Sequence, residues 1–199
     1  MKFHKLISVI LHPVVVPTIG VLLFLALTPI IIRKERQYLL ISIVFFSTYI
    51  VPIISLIILK FIGLIKSFQV ESINERKVPL FLMLIIFFVL GRFLINIPDF
   101  RELGVLFYGT NLALVIIYFL FFFKIKTSLH IVSMSSMIGF FLFFGTDNSI
   151  NIVPIAILLL LLTGLLASAR LHLKAHTPKE IYIAFFLGIT TQFLSYLYL

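Results

Sequence analysis

The sequence predicts an all-α, polytopic membrane helix bundle of six to seven transmembrane helices, forming a single integral membrane domain over residues 1–199. Three observations predict it. Hydrophobic residues make up 62% of the chain, with a mean hydropathy of +1.24 and 12% charged residues, against about 45–50% apolar residues in ordinary soluble proteins. The apolar residues come in blocks of about 20, the length that crosses a bilayer as a helix. Within the blocks Phe, Leu and Ile occur all round, without the period-two alternation of a transmembrane β-barrel. No polar stretch is long enough to build a soluble domain. The absence of cysteine excludes disulfides, thiol nucleophiles and cysteine-ligated metals.

In chain order, the apolar segments run at 6–32, 37–62, 79–97, 104–123, 129–145, 152–169 and 180–199. The first follows basic residues, as in a signal peptide. It continues to Ile32 without a small-residue cleavage site, so it is read as a retained span. His12-Pro13 and Pro17-Thr18 bend it, and His12 is read first as a packing residue of a kinked helix, bonded to a carbonyl or set at an interface, with a role in catalysis as the less favoured alternative. In the second segment Ser47, Thr48 and Pro52 suit inter-helix packing. Gly63 to Pro79 is the longest polar interval; it carries Arg76 and Lys77, with Pro79 expected to open the third span. Arg92, Asn96, Asp99, Arg101 and Glu102 are explained by snorkelling and local pairing. Seven crossings result, or six if the proline-broken first or the short fifth segment is re-entrant.

Between the last two segments lies Ser168-Ala-Arg-Leu-His-Leu-Lys-Ala-His-Thr-Pro-Lys-Glu180, the densest group of ionisable residues in the chain. Charge beside hydrocarbon is costly unless it is paired or wet, so the density itself points to a functional site. Thr177, Pro178 and Glu180 read as the N-cap, first and third residues of the final helix, a capping box with proline where its missing N–H does no harm. That sets His176 at a helix entrance with Glu180 one turn on. Glu180 has two readings: a capping carboxylate and nothing more, or a group that also orients the His176 imidazole for nucleophilic work.

Arg170, five residues, His176, Pro178 and Glu180 resemble the third signature of the type 2 phosphatidic acid phosphatase superfamily, membrane lipid-phosphate phosphatases related to vanadium haloperoxidases. The family carries Asp where this chain has Glu180. Thr127-Ser-Leu-His130 resembles its second signature, proline-serine-glycine-histidine, matching at Ser128 and His130. Arg76 and Lys77 resemble part of the first, lysine, six residues, arginine, proline; Glu71 and Val78 stand at its two basic positions. The resemblance implies a metal-independent hydrolase with no cofactor. His176 would be the nucleophile forming a phosphohistidine, oriented by Glu180. His130 would protonate the departing lipid oxygen and then activate water. Arg170, Arg76, Lys77 and Lys126 would bind the phosphate, with Ser128 holding one of its oxygens.

Span parity supports a common site, because two spans separate the first cluster from the second and two more separate the second from the third. All three then fall on one membrane face. The net charge of +9 suits a bilayer and a phosphorylated membrane lipid as partners; nucleic acid is excluded as the weakest candidate. A metal site is disfavoured by a chain with 7 Asp plus Glu. The alternative is a catalytically inactive lipid-phosphate binder or transporter on the same fold, suggested by Glu180, Leu129 and the displaced first cluster. Most Lys and Arg residues lie on the site face, which by the positive-inside rule would be cytoplasmic. Setting aside those that would bind substrate leaves the two faces nearly even, and bacterial members of the family usually turn this face to the periplasm.

Overall fold

The computed structural model describes residues 2–68, 70 and 72–199, and among them it is an all-α bundle without strands. The helices are α1 (Lys2–Ile10), α2 (Val16–Leu27), α3 (Lys34–Phe45), α4 (Val51–Phe61), α5 (Ile73–Ile95), α6 (Arg101–Leu120), α7 (Leu129–Asp147), α8 (Val153–His172) and α9 (Pro178–Tyr198). Six helical stretches are long and apolar enough to cross a membrane: Lys34–Phe61, Ile73–Ile95, Pro98–Phe123, Leu129–Asp147, Val153–His172 and Pro178–Tyr198. The chain is an integral membrane protein.

The first predicted segment is not one helix. It breaks at His12-Pro13 into α1 and the short α2. Pro13 has no N–H to donate and stands in the break, whereas Pro17 sits in the first turn of α2, where its missing N–H does no harm. α2 nevertheless follows α7 from one end of the bundle toward the other. His12 stands against His130 near the start of α7, a Cβ on Gly20 would touch Met137, and Phe24 packs on Phe144 with ring centroids 5.4 Å apart.

α3 and α4 join through a π-helical turn at Phe46–Ile50, directly before Pro52. A wide turn is the usual way for a helix to absorb a residue that cannot donate to the preceding turn. The Thr48 hydroxyl donates back to the Val44 carbonyl at 2.9 Å. The third span starts six residues earlier than the sequence suggests. Ser72 caps α5 by accepting from the Glu75 N–H at 3.3 Å, and Pro79 lies inside the helix, so Arg76 and Lys77 sit on its first turns and not in a loop. Glu71 lies outside the described residues.

α7, the short fifth segment, is the best-buried helix of the bundle. It packs closely on α9 because Gly188 has no side chain: a Cβ there would come within 2.8 Å of the Val132 carbonyl and collide with the Ser135 hydroxyl. Ser135 in turn donates to the Ala184 carbonyl at 3.2 Å. Small residues at such contacts let membrane helices approach, and any larger side chain forces them apart. Gln192 of α9 is fully buried and donates to the Leu106 carbonyl and the Thr110 hydroxyl of α6.

At one end of the bundle three connections meet. The α4–α5, α6–α7 and α8–α9 loops are laced by Arg76 donating to the Thr127 carbonyl at 3.3 Å and Lys126 donating to the Ala175 carbonyl at 3.3 Å. α1 lies at the same end, packed along α8, with the His4 and His172 rings stacked 4.0 Å apart. At the opposite end Arg36 pairs with Asp99, and Asn148 donates to Glu102.

Candidate active site

The capping box read from the sequence at the start of α9 is formed: the Thr177 hydroxyl accepts from the Glu180 N–H, and the Glu180 carboxylate accepts from the Thr177 N–H, each at 3.4 Å. The same carboxylate oxygen lies 2.6 Å from His176 Nδ1. Glu180 therefore caps the helix and also holds the imidazole. Since an ionised carboxylate can only accept, Nδ1 carries the proton and Nε2 is left with the lone pair. The His176 side chain is 1% exposed and that of Glu180 21%. Burial first, then the positive charges of Arg76 and Arg170, push the His176 pKa from 6.5 down to about 4, against the opposing pull of Glu180. At neutral pH the contact is thus a charge-assisted hydrogen bond to a neutral ring.

Arg170 lies in the last turn of α8. Its Nη1 donates to the Ser8 hydroxyl of α1 at 2.8 Å, while its Nε is buried without a partner among the described residues. Arg76, in the first turn of α5, donates through Nε to the Val70 carbonyl at 2.8 Å as well as to Thr127. Two carbonyls hold this guanidinium but leave most of its five N–H groups for a ligand. His130, the second residue of α7, has Nε2 at 3.2 Å from the Ser8 carbonyl oxygen and 3.3 Å from its hydroxyl. A carbonyl only accepts, so Nε2 bears the proton and Nδ1 is the nitrogen left for proton transfer.

These groups share one cavity of about 180 Å³. Its polar wall is His12, Arg76, His130, Arg170 and His176 with the hydroxyl residues Ser55, Thr110 and Ser133, and among the described residues no Asp or Glu lines it. Its apolar wall comes from α4 (Pro52, Leu56, Leu59), α5 (Leu82, Met83, Ile86, Phe87) and Leu114 of α6. Two guanidiniums beside an apolar slot between α4 and α5 are an arrangement able to hold an anion next to an apolar group.

No family model, no characterised protein and no solved structure matches this chain.

The other residues singled out in the sequence take different places. Lys77 is exposed on the far side of α5's first turns and does not line the cavity, because a helix turns residue 77 about 100° away from residue 76. Lys126 does not line it either; its ammonium reaches the Ala175 carbonyl and ties the α6–α7 loop to the loop carrying His176. Ser128 is fully buried at the N-cap position of α7 but makes no capping bond. Its hydroxyl and that of Thr127 lack partners among the described residues, and Ser128 does not line the cavity. Among the described residues no group of three or more His, Cys, Asp or Glu is positioned to hold a metal ion.

Two neighbouring residues lie outside the three basic clusters. His12, taken as a packing residue, lines the cavity and stands edge-on to His130 with centroids 4.9 Å apart. A histidine just before a helix-breaking proline in an apolar run was the available signal. Ser8 had none: it is one serine in an amphipathic helix, 162 residues from the arginine it meets.

Proposed function

We propose that this protein is a metal-independent lipid phosphatase, hydrolysing a phosphate monoester or diphosphate of a membrane lipid through a phosphohistidine on His176. The observation that carries the reading is the His176–Glu180 pair at 2.6 Å, whose imidazole lines the same cavity as Arg76, Arg170 and His130. The partial resemblance of the three basic clusters to the type 2 phosphatidic acid phosphatase superfamily supports it.

The chemistry follows from the atoms available. His176 Nε2 attacks phosphorus; an N–P bond forms and the bond to the lipid oxygen breaks. The departing oxygen takes a proton from the imidazolium of His130, a form favoured by the negative charge of the bound head. Neutral His130 then removes a proton from water, whose oxygen attacks phosphorus, breaks the N–P bond and releases inorganic phosphate. Arg76 and Arg170 spread the charge of the transferring phosphoryl group, which carries most of the barrier in such reactions. The lipid tail lies along the apolar wall from α4 and α5.

One observation favours a second reading, a non-hydrolytic binder of lipid phosphates. Ser8 already engages both Arg170 and His130, two groups that hydrolysis needs. A panel of lipid phosphates incubated with detergent-purified protein in the presence of a chelator separates the two. Phosphate release supports the hydrolase. Tight lipid binding without turnover, unchanged in His176→Ala, overturns it in favour of the binder.

The site end is assigned to the periplasmic face of a bacterial inner membrane. The chain has no cysteine, so single cysteines at the exposed Lys124 or Lys179 report cleanly. Labelling of both by a membrane-impermeant maleimide in intact cells is the expected result; labelling only after lysis reverses the orientation.

A further inference from the structure

We propose that His12 is a substrate-binding residue whose Nε2–H donates to an oxygen of the phosphate head. The proposal rests on the lipid-phosphate reading above and extends its site by an element outside the three basic clusters.

The geometry begins with the turn between α1 and α2. The His12 carbonyl accepts from the Val15 N–H at 2.8 Å and from the Val16 N–H at 3.1 Å, and Pro13 restricts the backbone between them. The residue is therefore anchored by its main chain and its ring is not adrift. The Val14 N–H donates to His12 Nδ1 at 3.4 Å. A ring nitrogen that accepts carries its lone pair, so in the neutral imidazole the proton is on Nε2. The turn thus sets the tautomer, as a backbone group commonly does for a working histidine.

The surroundings identify what that donor meets. His12 lines the cavity beside Arg76, Arg170, His130 and His176, and among the described residues no carboxylate shares the wall. Its ring stands edge-on to His130, so the two imidazoles bracket one side of the polar end. Two guanidiniums and N–H donors, facing no acidic side chain among the described residues, are complementary to an anion with several oxygens. A tetrahedral phosphate has enough oxygens to occupy Arg76, Arg170 and His12 together while one face stays open to His176.

The test uses the full-length protein in detergent with inorganic phosphate as the probe, measured by titration calorimetry, alongside turnover of a lipid phosphate. His12→Phe keeps the ring and removes the donor. His12→Gln restores an amide N–H at the reach of Nε2, and His12→Asn sets one short of it. Loss of a hydrogen bond to a charged ligand weakens binding about 10- to 100-fold. His12→Phe and His12→Asn should both show that loss in phosphate affinity, and His12→Gln should recover most of it. Wild-type affinity in His12→Phe overturns the proposal. If His12→Phe does not fold, equal affinity in His12→Gln and His12→Asn overturns it. Wild-type protein that binds phosphate in a His12-dependent way but releases none from lipids supports the His12 donor and refutes hydrolysis. Turnover that His12→Phe leaves intact does the reverse.

Discussion

His176→Ala abolishes phosphate release, with an expected fall of about 10⁴-fold or more, the scale on which enzymes lose rate when a nucleophile is deleted. The Nδ1 proton is committed to Glu180 at 2.6 Å, which leaves Nε2 as the only ring nitrogen with a lone pair to offer phosphorus. A single turnover of the wild-type protein with lipid carrying labelled phosphate, quenched before water attacks, is expected to leave the label on His176 as an acid-labile, base-stable bond. Label on any other residue, or turnover surviving in His176→Ala, removes His176 as nucleophile.

The same residue sets an acid limit. In the proposed mechanism the nucleophile is the neutral ring, and in the folded chain its pKa is pushed down to about 4. The ring therefore stays competent through pH 5–7, and the acid limb of kcat/KM falls near pH 4, not near the ordinary histidine value of 6.5. An acid limb centred near pH 6.5 contradicts the assignment. The linkage has a definite sign. Because the folded value lies below the unfolded one, unfolded chains bind this proton first as pH falls. The stability His176 contributes is full above about pH 6.5 and is lost as pH drops toward 4. Glu180 holds the value up, so Glu180→Gln moves the acid limb lower still while loosening the ring.

Arg170→Lys is the second large effect, an expected loss of about 10³-fold in kcat/KM, comparable with removing an arginine from other phosphoryl-transfer sites. Arg170 donates to Ser8 through Nη1 and keeps a buried Nε without a partner among the described residues. That unsatisfied donor is costly in an empty site and becomes useful when a phosphate oxygen arrives. Lysine restores the charge but has no planar fork with which to hold Ser8 and phosphate together. Lys77→Ala is the contrast. Lys77 is exposed and away from the cavity, so its removal leaves kcat/KM within about twofold, as surface substitutions away from a site usually do. A severe loss in Lys77→Ala with a mild one in Arg170→Lys inverts the geometry described above.

How far the sequence reaches is clearest at α9 and α5. Thr177, Pro178 and Glu180 are neighbours whose capping bonds are local, so the helix start and the His176–Glu180 contact were legible from spacing. Pro79 misled because proline favours a helix start, yet Ser72 supplies a cap seven residues earlier and the helix runs through the proline. The same shift decided between Arg76 and Lys77: once both lie on a helix, only one faces inward.

Hydropathy blocks, the absence of strand periodicity and the caps belong to the chain alone, since each depends on residues within a turn or a span of one another. They determined an all-α membrane protein and the end of the bundle at which its basic clusters gather. Tertiary structure alone decided that Ser8 bridges Arg170 and His130, that His12 faces the cavity, and that Lys126 braces a loop. The Ser8 and His12 contacts join residues more than a hundred positions apart, and Lys126 meets a carbonyl 49 positions away in another loop, so only the packing of the helices and the meeting of their loops sets them.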